Sequence, residues 1–277
     1  MKFEDMINTI QLGDCYELIK NIPDKSIDLV YIDIPYLFKA HGGGTSELAK
    51  RSAKNRSELV GLKYDESKSA AENMKNANHN KGNIKDITSG IDYAIFDELC
   101  RIMKNIHIYI WCSKDQILDI MNYFINKGCV NDLLVWCKTN PIPVGNNTFL
   151  PDIEYCLFFR EPNKTKLNDG YELKSKWYVS PINKSDKDLF NHPTIKPLEL
   201  VKRHILHSTQ ENNIVLDCFC GSGTTCVAAK EIGRRFIGME IDPEYHKIAV
   251  DRLNGITANG QTSIFTDFDN LGGDNNE

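Results

Sequence analysis

The stretch Ile214-Val215-Leu216-Asp217-Cys218-Phe219-Cys220-Gly221-Ser222-Gly223-Thr224-Thr225 decides the fold. An apolar run ends in an acid, passes through a Gly-Ser-Gly turn and continues as a helical segment over 224–232. That is a strand, a tight loop and a helix N-terminus, which brings backbone amides close to a nucleotide-like ligand. A second apolar run, Phe236-Ile237-Gly238-Met239-Glu240, also ends in an acid. Glu240 follows Gly221 by 19 residues, the spacing at which a Rossmann-type unit places the carboxylate that holds a ribose hydroxyl. The stretch alone predicts a site for an adenosine-containing ligand.

Upstream, the chain alternates strands and helices. A strand and turn over 10–14 lead into a helix over 15–22 that Pro23 closes. A strand over 26–32 then runs into Asp33-Ile34-Pro35-Tyr36. Helices are predicted over 92–104 and 114–126, the second capped by Ser113, with an apolar strand over 106–111 between them. Strands over 133–136 and 153–159 flank the proline-stiffened loop 138–143. A helix to about residue 208 precedes the opening stretch, and Asp242 caps a last helix that starts at Pro243 and runs to Leu253. Such alternation predicts an α/β fold, a mostly parallel twisted sheet with helices on both faces. Ligands belong at the carboxyl ends of its strands, where Asp33, Asp217 and Glu240 all fall.

The chain's 277 residues, 41% hydrophobic and 26% charged, suit one large domain. Three segments decorate it: 37–90, 143–191 and a polar tail, 255–277. A net charge of -5 argues against an indiscriminate nucleic-acid binder. Its distribution is more informative, since residues 39–85 carry ten Lys/Arg against five Asp/Glu and 160–187 carry seven against four. Locally basic segments on an acidic body can follow a phosphate backbone, although a solvated loop fits each one alone. The nine cysteines include no Cys-x-x-Cys pair and no zinc-type spacing, so buried thiols in a reducing compartment are expected and no metal is. With no apolar run of membrane-spanning length and no signal peptide at the start, a cytoplasmic location is expected.

The glycine loop is not a dinucleotide fingerprint, which would want Gly or Ala where Cys226 stands, and it lacks the Gly-Lys-Ser/Thr of a P-loop. Asp217-x-Phe219-x-Gly221-Ser222-Gly223-Thr224-Thr225 resembles the cofactor loop of the amino-methylating DNA methyltransferases. Asp33-Ile34-Pro35-Tyr36 resembles their Asp-Pro-Pro-Tyr catalytic tetrapeptide, and His192-Pro193-Thr194-x-Lys196-Pro197 a segment that precedes the cofactor loop. Gly13-Asp14, 108–111 and 136–141 add further matches. The order, with the catalytic motif first and the cofactor loop last, is that of the beta class, and the matches extend from about residue 10 to 254.

The resemblance implies a Rossmann-like methyltransferase fold with inserted target-recognition loops, S-adenosylmethionine as cofactor and DNA as partner. It implies methyl transfer to the N6 amine of adenine, since an acid in the first motif position is commoner in adenine enzymes. The alternatives are cytosine N4 methylation and a DNA-binding homologue whose catalysis is impaired at Ile34. The chemistry suits these residues. An exocyclic amine is a poor nucleophile because its lone pair is spread into the ring, and acceptors on both amine hydrogens would localise it. Asp33 would accept one and the carbonyl of Ile34 the other. Tyr36 would stack on a base swung out of the helix. Ile34 departs from the family's proline, but a β-branched residue before Pro35 is held extended and keeps the carbonyl's aim.

For the cofactor, the resemblance implies Glu240 on the ribose, and Gly221, Ser222, Gly223 and Thr224, with neighbouring Phe219 and Thr225, around the methionine end. Asp217 would lie near the ammonium, Thr194 and Lys196 near the carboxylate, and Asp14 and Cys15 near the adenine. Taken singly, Asp14 also fits a helix cap, His192 a core histidine and Lys196 a solvated charge. Residues 37–90 and 143–191 are the candidate DNA contacts. A homodimer and an accompanying restriction endonuclease are further possibilities that the class suggests.

Overall fold

A computed structural model describes residues 1–36, 67, 91–141, 149–182 and 195–256. The strands are β1 (Thr9–Leu12), β2 (Leu29–Asp33), β3 (His107–Cys112), β4 (Val130–Lys138), β5 (Ile153–Arg160), β6 (Trp177–Ser180), β7 (Ile214–Asp217) and β8 (Arg235–Glu240). The helices are α1 (Phe3–Met6), α2 (Cys15–Leu18), α3 (Ile95–Ile102), α4 (Ile117–Asn126), α5 (Leu198–Ser208), α6 (Thr224–Glu231) and α7 (Pro243–Leu253), with a 3-10 turn over Ile19–Asn21.

The strands form one sheet in the order β1-β8-β7-β2-β3-β5-β4-β6. Every recorded pairing is parallel except those of β5, which runs antiparallel to both β3 and β4. The expected mostly parallel sheet is therefore present, with one strand reversed. Alternation along the strands divides the core. Val30 and Ile32 of β2 join α1–α4 on one face, together with Phe96, Leu99, Ile120 and Phe124. Leu29 and Tyr31 join α5–α7 on the other, with Leu200, Val201, Ile205, Ala228 and Ala249. This three-layer arrangement explains why the central strands are apolar on both sides.

The caps follow the sequence closely at the chain's end. Asp242 accepts the Glu244 and Tyr245 amides at 2.8 and 3.2 Å, with Pro243 in the first turn. The start of α4 differs from its expected place. The Gln116 side chain folds back onto the amide and hydroxyl of Ser113 at 3.0 and 2.9 Å, and regular helix begins only at Ile117. The helix read over 15–22 likewise divides into α2 and the 3-10 turn. β6 is absent from the sequence reading. It lies inside the polar run of 161–191, and its parallel pairing with β4 turns that run into the sheet's edge strand. The described part of the 143–191 segment thus supplies two strands of the sheet. The 37–90 segment, apart from Ser67, and the tail beyond Ile256 lie outside the described residues.

Candidate active site and cofactor loop

β2, β7 and β8 run parallel and end in Asp33, Asp217 and Glu240, so the three acids share one sheet edge. Because β5 is reversed, its first residues lie at this same edge, and they include Glu154. Asp33 keeps the alternation of Leu29 and Tyr31 and faces the α5–α7 side, as does Glu154.

Between these two carboxylates sits the ammonium of Lys196, on the short approach to α5. Its Nζ is 2.5 Å from Asp33 Oδ2, 3.0 Å from Glu154 Oε2 and 3.2 Å from the Tyr36 hydroxyl. The rings of Trp111 and Tyr36 flank it at 5.1 and 5.5 Å. Tyr36 donates to Glu154 Oε2 at 3.3 Å, and Lys138 at the end of β4 reaches Glu154 Oε1 at 2.7 Å. The other oxygen of Asp33, Oδ1, is buried and has no hydrogen-bond partner among the described residues. Leaving a buried acceptor unpaired costs about 1–3 kcal/mol, which marks a place where a donor is wanted.

Burial pushes the Asp33 pKa up and Glu154 adds to the rise, while Lys196 opposes both. Burial would also raise Glu154, but Lys196 and Lys138 outweigh it and hold that acid at about 2. For Lys196, burial pulls down and the two carboxylates lift its pKa above the usual lysine value.

The tetrapeptide is braced from behind. Gln116 donates to the Pro35 carbonyl at 3.0 Å, one residue beyond the carbonyl that the resemblance implies as the second acceptor. Ile34 is 1% exposed in the core, and its amide donates to the Trp111 carbonyl at 3.2 Å. Proline could not make that bond, so the departure from the family's residue adds one rung between β2 and β3.

At the glycine loop, Gly221 and Gly223 have φ of 52° and 78°, which explains why glycine recurs there. A Cβ on Gly223 would also come within 3.2 Å of the Ala249 backbone in α7. Glu240 accepts the Gly221 amide at 2.6 Å and the Asp242 amide at 2.9 Å, tying the loop to the end of β8. Asp217 is buried and accepts the Phe219 amide at 3.1 Å. Burial drives its pKa up to about 7, against hydrogen bonds from Thr225 and the Phe219 amide. Ser222 and Thr224 both meet the buried guanidinium of Arg252. Asp14 caps α2 through the Tyr16 amide at 3.0 Å, and Cys15 is buried beside Cys218. Phe219 packs on the α1–α4 core. Thr194 lies outside the described residues.

Three contributors escape the sequence reading: Glu154, Gln116 and Arg252. Glu154 carries a signal, an acid two residues into an otherwise apolar strand. Arg252 reads as any basic residue near a helix end, and Gln116 as a surface residue.

Acid-tipped parallel strands around a glycine loop, next to an acid-x-Pro-Tyr turn, define the S-adenosylmethionine-dependent methyltransferases that modify amines. A family model described as a DNA methylase of the N6/N4 type matches residues 27–251, and the chain belongs to that family. The type II methyltransferase M2.LlaDCHI of Lactococcus lactis subsp. cremoris is 31% identical over 261 residues, covering 87% of each chain. M.HinfI of Haemophilus influenzae is 31% identical over 279 residues, covering 92% of this chain and 70% of its own. Among solved structures, an M1.HpyAVI–SAM complex aligns with a TM-score of 0.56 and 25% identity over 88% of this chain and 98% of that one. The cytosine-N4-specific PvuII DNA methyltransferase aligns at 0.61 with 15% identity over 88% and 85%, a likeness of fold alone. The protein is thus a DNA amino-methyltransferase whose methyl donor is S-adenosylmethionine.

Proposed function

We propose that the protein methylates the N6 amine of adenine within a short DNA site, using Asp33-Ile34-Pro35-Tyr36 as its catalytic turn. The observation that supports this most is the divided Asp33 carboxylate, with one oxygen anchored on Lys196 and the other buried with no donor among the described residues. A target amine provides that donor. Asp33 Oδ1 accepts one amine hydrogen and the Ile34 carbonyl the other, which draws the lone pair out of the ring and aims it. The flat face of Tyr36 receives the extruded base.

The loop residues fit the cofactor by the chemistry of their donor set. Asp217 offers a buried carboxylate to an ammonium, Glu240 keeps lone pairs for ribose hydroxyls, and glycine conformations bring backbone amides close. Gly221–Thr225 would wrap the methionine end, with Phe219 beside it and Asp14 and Cys15 toward the adenine. Bound S-adenosylmethionine supplies a methyl group on a sulfonium centre, whose C–S bond breaks as the N–C bond forms. Lys196 and Thr194 are proposed near the cofactor carboxylate on the family resemblance, although the Lys196 ammonium already holds two acids.

Residues 37–90 and the 143–191 segment are the proposed DNA contacts. In the second, Trp177 is 60% exposed, and the Arg203 guanidinium lies 5.1 Å over the Tyr178 ring, a cation and aromatics suited to phosphates and bases. A restriction endonuclease of the same specificity is the proposed companion, on the type II names of the relatives, and a homodimer is proposed on the class resemblance. No described helix is long and apolar enough to cross a membrane, and the proposed location is the cytoplasm.

Labelled methyl transfer to duplex DNA, followed by digestion and nucleoside mass analysis, tests the reading. N6-methyldeoxyadenosine is expected, and N4-methyldeoxycytidine would replace it with the other amine of the family. Asp33→Ala should cut turnover by at least about 100-fold while S-adenosylmethionine binding stays within a few-fold. Persistent product in that variant would remove Asp33 from the chemistry.

A further inference from the structure

We propose that Glu154 is a positioning residue for methyl transfer: by sharing the Lys196 ammonium with Asp33 and taking the Tyr36 hydroxyl, it fixes the catalytic carboxylate and the base-stacking ring in one rigid unit.

Glu154 lies on the same face of β5 as Cys156 and Phe158. It stands in a strand whose following residues, Cys156 to Phe159, are buried in the core. A buried acid there would be costly unless compensated. Its compensation is not a single partner but a chain, Lys138–Glu154–Lys196–Asp33, in which acids and bases alternate. Each inner member has two opposite neighbours, so neither Lys196 nor Glu154 can swing away without stranding a charge. The consequence falls at the far end. Lys196, held from behind by Glu154, grips only Oδ2 of Asp33, and the carboxylate cannot rotate to offer both oxygens to the lysine. Oδ1 stays available to the amine. The Tyr36 hydroxyl donates to Glu154 and accepts from Lys196, which pins the far end of the ring, and the Lys196 ammonium lies 5.5 Å from the ring centroid.

Glu154 does not touch the reacting atoms; it acts through Lys196 and Tyr36. Its charge should nevertheless be readable in the chemistry. The thiols and phenols around Asp33 (Cys112, Cys156, Tyr31 and Tyr36) are all driven toward their neutral forms by burial. The groups that set the ionisation of Asp33 are therefore Lys196, Glu154 with Lys138 behind it, the hydrogen bond from neutral Tyr36, and Asp217 on the neighbouring strand. Removing the Glu154 charge favours ionised Asp33 and moves the acid limb of activity to lower pH. Removing Lys196 or Lys138 takes away positive charge and moves the limb to higher pH.

The proposal rests on the DNA amine methylation reading, which wild-type incorporation tests by itself. In the full-length protein, kcat would be followed against pH with DNA and S-adenosylmethionine both saturating, so that Asp217 is covered by bound cofactor and Asp33 dominates the limb. For Glu154→Gln, kcat should fall roughly 10- to 100-fold, as expected for misplacement rather than loss of a catalytic group. Its acid limb should shift down, and its cofactor Kd by calorimetry should stay within a few-fold. Glu154→Asp should return the limb to its wild-type position. Lys138→Met, at a partly exposed site that keeps the core intact if Glu154→Gln folds poorly, should shift the limb up. The same direction of shift in Glu154→Gln and Lys138→Met, or an unmoved limb with wild-type kcat, overturns the proposal while leaving the methyltransferase standing. Absence of product from the wild-type protein overturns both.

Discussion

Ile34 shows how much one side chain can alter the meaning of a motif. Its place in a turn that carries proline in the family raises the question of impairment, and its buried amide on the Trp111 carbonyl gives isoleucine a structural role there. Ile34→Pro should lose about 1 kcal/mol of stability in denaturant melts. Its methyl transfer rate should remain within a few-fold of the parent, and a rise of orders of magnitude would mean that isoleucine cripples the turn. Asp217 makes a second prediction at this scale. With its pKa raised from 3.8 to about 7, the folded protein keeps a proton that the unfolded chain has already shed. The native state then binds more protons than the unfolded state across that window, so this residue's contribution to stability is present below 3.8 and lost as pH rises to about 7. A cationic ligand favours the ionised form. S-adenosylmethionine affinity should therefore climb with pH, by at most about tenfold per unit, and level off above neutrality. Calorimetry in buffers of different ionisation enthalpy should record proton release at pH 6 and little at pH 8.5; Asp217→Asn should abolish both effects.

Among the elements, the glycine loop and the helix it opens are held by parts remote in sequence. Arg252 of α7 donates to Thr224 Oγ1 at 2.7 Å and to the Ser222 carbonyl at 3.3 Å, and Glu240 takes the Gly221 amide. Arg252→Met should leave the fold cooperative yet weaken cofactor binding, by roughly tenfold if one charged hydrogen bond's worth of order, about 1.5–3 kcal/mol, is partly lost. Unchanged affinity in fluorescence titration would show that the loop holds its own shape. The loop itself was legible because its glycines, its preceding strand and the acid at Glu240 follow from local backbone rules. Arg252 was not, because its partners are created by the packing of α7 against α6. β6 was hidden for a related reason. Trp177 and Val179 are exposed and Tyr178 and Ser180 half-buried, so an edge strand inside a polar run offers little alternation to read.

Across the whole molecule, the alternation of strands and helices made the three layers and the ligand edge readable, and Asp33, Asp217 and Glu240 fell where strand ends predict. The reversal of β5 did not announce itself, since orientation depends on which strands become neighbours. That reversal is what carries Glu154 to the site. Because the ligand edge joins strands from both halves of the chain, cofactor should stabilise the entire fold. At 100 times its Kd, S-adenosylmethionine should add about 2.7 kcal/mol. That corresponds to a Tm rise of roughly 5 °C for a chain of this size. A rise confined to one of two separate transitions would show that the halves melt independently.

The sheet order also has a consequence in time. β1 precedes the other described strands but among the described residues pairs only with β8, and β2 keeps one flank open until β7 arrives. A chain emerging from the ribosome therefore carries β2 beside a gap that β7 and β8 must fill together. Until they do, two edges lie bare, open to pairing with other chains. Newly made protein should accordingly remain protease-sensitive until β8 has been made, and methylation competence should begin only after β7 and β8 have slotted into the sheet.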